Sequence, residues 1–252
     1  LVRDLRGNSR LIVPDHIGCG LSDKPADSQY SFTLKQRVDD LDALLKSLKL
    51  KQKITLVLHD WGGMIGMAWA VRHPEKVARL VILNTAAFHL PTTKKFPLAL
   101  KLCRDTQLGA FLVQGLNLFA RGAAWVGCKR QRMAPELRKI YCSPYDNWQH
   151  RVATLRFVQD IPLQAEDPGY DLISQVGAGL AEFADLPMCI CWGEKDFVFD
   201  LNFLAEWKSR FPQAAVHSFA DCGHYILEDA KAEVLPIIRN FLQDNPLSPA
   251  GR

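Results

Sequence analysis

One feature constrains this sequence more than any other: a strand that passes through a sharp turn directly into a helix. Lys53 to Leu58 (KITLVL) reads as a strand, and Met64 to Arg72 reads as a helix that His73-Pro74 ends. Only His59-Asp60-Trp61-Gly62-Gly63 lies between them. The glycines at 62 and 63 let such a turn close against neighbouring elements. A turn of this kind presents one side chain, here Asp60, above the carboxyl edge of a sheet.

The rest of the chain keeps the same alternation. Arg10 to Pro14 (RLIVP) reads as a short strand, and Asp15 to Asp27, with Gly18, Gly20 and Pro25, as a loop. Thr33 caps a helix from Leu34 to about Lys49, whose apolar positions Leu34, Val38, Leu41, Leu44, Leu45 and Leu48 follow the helical period. Leu80 to Leu83 is a strand. After a long interval, Met188 to Trp192 and Ala215 to Phe219 are strands again, each followed by a helix, at 201–210 and 227–242. Alternation of this sort predicts an α/β fold: a mostly parallel sheet with helices on both faces. The interval 88–184 shows no strand alternation, only helical stretches with aromatics and many Arg and Lys, and reads as a helical cap. The core is thus expected over 1–87 and 185–245, with a frayed tail over 245–252. The chain starts at Leu1 rather than Met, and Leu1 to Leu5 resembles the end of a helix already under way. It is therefore expected to begin late, with N-terminal strands missing.

Composition excludes several classes. Apolar residues make up 48% and charged residues 23%, a balance that disordered chains lack. A net charge of +4 spread along the chain leaves no footprint for nucleic acid. No apolar run approaches the roughly 20 residues of a membrane helix. The 7 cysteines are odd in number and scattered, which argues for core thiols in a reducing, cytoplasmic setting. Cys189 and Cys191 would share one face of a strand, but no second Cys/His pair completes a zinc site.

The candidate chemistry follows from Asp60. A carboxylate with a pKa near roughly 4 is already ionised at neutral pH, so it can attack an electrophilic carbon directly and form an ester. Its place at a helix N-terminus favours the anion. The backbone N–H of Trp61 faces the point where negative charge would develop, and the Trp61 indole offers a second donor. His224, in Asp221-Cys222-Gly223-His224-Tyr225, follows the strand at 215–219 and is the candidate base. Asp196, in Trp192-Gly193-Glu194-Lys195-Asp196, follows the strand at 188–192 and would orient it; Asp200 is its rival. The order nucleophile, acid, histidine is that of α/β-hydrolases.

With these residues in view, the chain resembles the α/β-hydrolase superfamily, in the group of haloalkane dehalogenases and their relatives. Pro14 to Pro25 (PDHIGCGLSDKP) is similar to a loop after an early strand in that group, and His59 to Gly63 to its nucleophile motif. Asn84 to Phe88, Pro144 to Trp148 and Leu155 to Leu163 most resemble the β-lactone decarboxylases of long-chain olefin biosynthesis. The resemblance implies Asp60 as nucleophile, His224 as base and Asp196 as its partner. It implies an apolar substrate, a β-lactone that loses carbon dioxide to give an alkene. It implies no metal and no organic cofactor. Hydrolytic dehalogenation is the alternative, then epoxide opening aided by Tyr141 and Tyr145; an inactive fragment or binding-only relative is the reading from another class. The family's His-Gly-Asn-Pro-like anion loop has no counterpart here.

Further positions carry weaker signals. Asn84 follows a strand and either contacts substrate or caps the sheet edge. Trp148 and Tyr145 either line an apolar pocket or pack in the cap. His59 is expected behind the elbow. The clusters Lys129-Arg130-Gln131-Arg132 and Lys94-Lys95 read as a solvated cap face, or more sharply as a docking face for another enzyme of the same pathway.

Overall fold

Sheet pairing decides which of the expected strands form. The computed structural model describes residues 1–247; 248–252, within the tail expected to fray, lie outside. In chain order come α1 (Val2–Leu5), α2 (Leu34–Ser47), β1 (Ile54–Asp60), α3 (Trp61–Arg72) and β2 (Val77–Thr85). Helices alone fill the stretch up to the next strand: α4 (Leu98–Asp105), α5 (Gln107–Gln114), α6 (Leu118–Val126), α7 (Pro135–Cys142), α8 (Val152–Gln159) and α9 (Tyr170–Gly179), with short 3-10 turns between some of them. Then follow β3 (Met188–Gly193), α10 (Leu201–Arg210), β4 (Ala215–Phe219), α11 (Ile226–Asp229) and α12 (Lys231–Asp244).

The four strands lie in the order β1-β2-β3-β4, and every pair is parallel. Parallel strands need helical crossovers, which cover both faces. Alternate residues therefore enter separate cores. Leu80, Ile82, Met188, Ile190 and Trp192 pack with α2, α3, α9 and α10. Val81, Leu83, Cys189 and Cys191 pack with α1, α11 and α12. The two cysteines do share a face, as small apolar groups.

Two expectations need correction. Residues 10–14 pair with no strand; Leu11 only leans on the second core. An apolar run becomes a strand only where a neighbour completes its ladder, and the four-strand sheet offers this segment none. The helix expected over 227–242 is broken at Ala230 (φ −125°, ψ 29°) into α11 and α12. The Asp229 side chain just before the break turns back toward the preceding loop.

Because all four strands run the same way, Asp60, Thr85, Gly193 and Phe219 end at one edge of the sheet. Ligand sites of open parallel sheets form at this edge.

Candidate active site

The elbow is strained and held in place. Asp60 has φ 49° and ψ −126°, a conformation that costs a non-glycine residue about 1–3 kcal/mol. The Thr85 hydroxyl donates to the Asp60 carbonyl and pins it. Gly63 is required here: a Cβ would lie 2.0 Å from Thr85 Oγ1 and 2.5 Å from the Ala86 carbonyl. A Cβ on Gly62 would meet open space, so that glycine does not serve the close packing expected of it. The strain lifts the Asp60 carboxylate off the sheet, with its side chain 44% exposed to the cavity above.

His224 sits between two carboxylates. Its Nδ1 donates to Asp196 Oδ2 at 2.8 Å. Its Nε2 faces Asp60 Oδ2 at 3.8 Å, an ionic contact longer than a hydrogen bond. Asp196 is buried, and its other oxygen accepts from the Val198 N–H at 2.8 Å, which fixes the carboxylate plane. A Cβ on Gly193 would fall 2.2 Å from the Gly223 carbonyl, so a bare backbone there lets the aspartate loop touch the histidine loop. The rival Asp200 is spent elsewhere: it caps α10 through the Asn202 N–H and pairs with Lys94 at 2.7 Å.

The charges reinforce one another. Burial works against the His224 cation, but the charges of Asp196 and Asp60 outweigh it and raise the imidazole to about 10. Burial also works against the Asp60 anion, yet His224 and the Trp61 N–H together hold it below the ordinary carboxylate range. The resting site is thus a carboxylate facing an imidazolium. His59 differs. Burial, then the nearby His224 charge, push it down to about 4. A neutral His59 bonds the His224 carbonyl through Nε2 at 2.8 Å, which supports the histidine loop from behind.

Above the three groups lies a cavity of about 710 Å³. Its wall is mostly apolar, with Trp61, Phe88, Leu100, Phe119, Phe157 and Tyr225 among its residues. Trp61 packs on Phe157 at 5.3 Å between ring centres. Tyr145 lines the cavity; burial first, then the nearby Cys19, push its phenol up. Tyr141 donates its hydroxyl to Glu228 at 2.9 Å, so it is not free to grip an epoxide oxygen.

Two expected pocket residues lie elsewhere. Asn84 is fully buried (φ 21°), and its amide is occupied: Nδ2 donates to the Gly193 carbonyl at 3.0 Å, and Oδ1 accepts from the Gly193 N–H at 2.8 Å. It clips β2 to β3 and has no group left for substrate. Trp148 is 53% exposed on the outside of the helical stretch, beside Phe111, and does not reach the cavity.

Sequence reasoning missed Tyr225 and Asp229. Tyr225 adjoins His224, and that adjacency was the available signal. Asp229 carried none. Its carboxylate accepts N–H groups from Gly223 at 2.7 Å, Lys129 at 2.7 Å and Arg130 at 3.2 Å. It therefore ties the histidine loop to the segment after α6. Arg130 adds ion pairs to Asp221 and Glu233. Arg130 and Lys94 are thus tied into the molecule by ion pairs, while Lys95, Lys129 and Arg132 are exposed.

The sequence profile of the alpha/beta hydrolase fold family matches residues 1–231. The chain belongs to the α/β-hydrolase fold family. Among members of known name, it is 58% identical over 244 residues to a cis-3-alkyl-4-alkyloxetan-2-one decarboxylase of Shewanella oneidensis, covering 97% of this chain and 77% of that protein. A protein of the same name from Xanthomonas campestris is 48% identical over 252 residues, with 98% and 84% covered. The chain also matches a crystallised haloalkane dehalogenase variant of Agrobacterium tumefaciens C58, with a TM-score of 0.84 and 24% identity over 96% of this chain and 83% of that one. That last likeness is one of fold.

Proposed function

We propose that this α/β-hydrolase converts a cis-disubstituted β-lactone bearing two alkyl chains into an alkene and carbon dioxide, through an ester on Asp60. The 58% identity to an oxetanone decarboxylase carries this reading. A predominantly apolar cavity of about 710 Å³ above Asp60 supports it, because two alkyl chains need dry room.

The resting charges suit a route without net proton transfer. Asp60 attacks the ring carbon that bears oxygen, from the side opposite the C–O bond. That bond breaks, and its electron pair leaves as the lactone's carboxylate. In-line attack sets the new ester bond anti to this carboxylate. Carbon dioxide then departs, its C–C electron pair forms the double bond, and Asp60 is expelled as a carboxylate. Inversion followed by anti elimination keeps the two alkyl chains cis. His224, as the imidazolium, pairs with whichever carboxylate is free. When Asp60 is esterified, the released carboxylate replaces its charge beside the ring. The imidazole then stays protonated and cannot activate water against the ester. Attack on the carbonyl would leave an alkoxide in need of a proton, which makes it the less suitable route.

The fully buried cysteines 189, 191 and 222 fit a reducing, cytoplasmic setting, and the helices of 88–184 serve as the cap. The test supplies purified protein with a cis-β-lactone, a bromoalkane and an epoxide. Alkene and carbon dioxide in equal amounts are expected, with quenched protein heavier by one lactone mass at Asp60. Full turnover by Asp60→Asn would end the nucleophile reading. Halide or diol as the sole product would replace the substrate class.

A further inference from the structure

The roof of the cavity has an outer face as distinctive as its inner one. Ten of the fifteen large apolar side chains exposed by the described residues lie between 98 and 148. That concentration exceeds the scattered single exposures normal for a surface. Charge concentrates in the same place. Residues 97–145 hold eight Lys and Arg against only Asp105 and Glu136, a surplus larger than the whole chain's +4. Arg104 and Arg130 are neutralised in ion pairs. Lys101, Arg121, Lys129, Arg132 and Lys139 are exposed and have no ion pair among the described residues.

The two patterns interleave on the helices that cover the cavity. In α4, Leu100 and Cys103 face the cavity, while Leu98, Lys101 and Leu102 face outward at helical spacing. In α6, Phe119 and Ala123 face the cavity, while Arg121 and Trp125 face outward, four residues apart. Trp125 is half-exposed and flanked by the guanidinium groups of Arg138 at 4.1 Å and Arg132 at 5.5 Å. Leu118 and Val126 are exposed and also line the cavity, so an opening sits on this face.

We propose that the outer face of α4 and α6 docks reversibly on an anionic lipid surface. Leucines interleaved with unpaired cations, and a tryptophan girdled by arginines, suit the boundary between headgroups and acyl chains. A protein partner fits less well, because interface cores are depleted of charge. The basic surplus complements phosphatidylglycerol headgroups. Docking would set the apolar mouth beside the layer into which a two-chain substrate partitions. That benefit rests on the proposed activity; the docking itself does not.

The experiment sediments the purified chain with phosphatidylcholine vesicles, with and without phosphatidylglycerol, and with no substrate present. Binding to the anionic vesicles alone is expected, falling as salt rises. Lys101→Glu with Arg121→Glu should weaken it at least about tenfold, since each basic residue near such a surface contributes roughly a fivefold factor. Lys208→Glu, exposed on α10, should change it less than about twofold on the same rule. Turnover of a short-chain, water-soluble β-lactone should be unchanged in the double variant. Loss of that turnover in the unmodified chain would sink the activity and leave the docking standing. Equal binding to neutral vesicles, or none to anionic ones, would overturn the docking. So would light scattering that shows a dimer, abolished by the same double variant, in place of vesicle binding.

Discussion

The carboxyl edge of the sheet and the helical roof over it are built by different forces. At the edge, directed hydrogen bonds set the geometry: Asp196 takes the His224 Nδ1–H and the Val198 N–H, and Thr85 holds the Asp60 carbonyl. Over it, the roof offers mainly Leu, Phe and Ala surfaces that fill space without aiming at a particular atom. Hydrogen bonds are directional, so the edge fixes what is done. Apolar contact is not directional, so the roof fixes how much apolar volume is enclosed. The two regions meet at one carboxylate, Asp229, which bonds backbone N–H groups from both. Damage at the edge should therefore cut turnover, damage in the roof should shift substrate preference, and damage at the join should do both.

The largest effect expected is at the edge. Asp196→Asn should lower kcat by about two to three orders of magnitude, because the imidazolium loses the charge that sustains it; steady-state assays check this. A mild loss would mean that Asp60 alone sustains the imidazolium. Next comes pH. His224 is raised from 6.5 to about 10, so the folded state holds a proton that the unfolded state releases. Its stabilisation is complete below pH 6.5 and disappears as pH rises through about 10. Denaturation midpoints should fall over that interval, and kcat/KM should decline on an alkaline limb near its upper end. Asp196→Asn should flatten the stability profile. A flat profile in the unmodified protein would remove the imidazolium from the mechanism.

At the join, Asp229→Ala leaves three N–H groups without an acceptor. At least about 3 kcal/mol of stability should be lost, since each costs roughly 1–3 kcal/mol if it stays dry. Thermal melting and kcat measured together would show whether the loop and the roof loosen as one. In the roof, Phe157→Ala should raise KM for a long-chain substrate about tenfold, as about 1–2 kcal/mol of apolar contact is lost, with kcat on a short chain nearly unchanged. Trp148→Ala should alter either constant by less than about twofold, because the ring lies outside the cavity.

Much of the edge was legible in the sequence because strand ends are local signals. An apolar run, a turn and a helix at 53–72 place Asp60 without any knowledge of its neighbours. The runs at 188–192 and 215–219 do the same for Asp196 and His224. Period two likewise sorted Cys189 and Cys191 onto one face. The segment at 10–14 failed because a strand needs a partner, and a partner is not written in the segment itself.

The residue types and their order determined the chemistry available to this protein: a strained acidic elbow, an imidazole and a second acid, each at the end of its own strand. Tertiary structure alone decided who surrounds them. Asn84 and Trp148 have the composition of pocket residues, yet one is consumed by a backbone 109 positions away and the other faces outward. Asp229 has the composition of an ordinary helix-end acid, yet it holds a backbone N–H 100 positions away. Local sequence sets backbone conformation within a turn or two, whereas these roles depend on contacts that exist only after the whole chain has closed on itself.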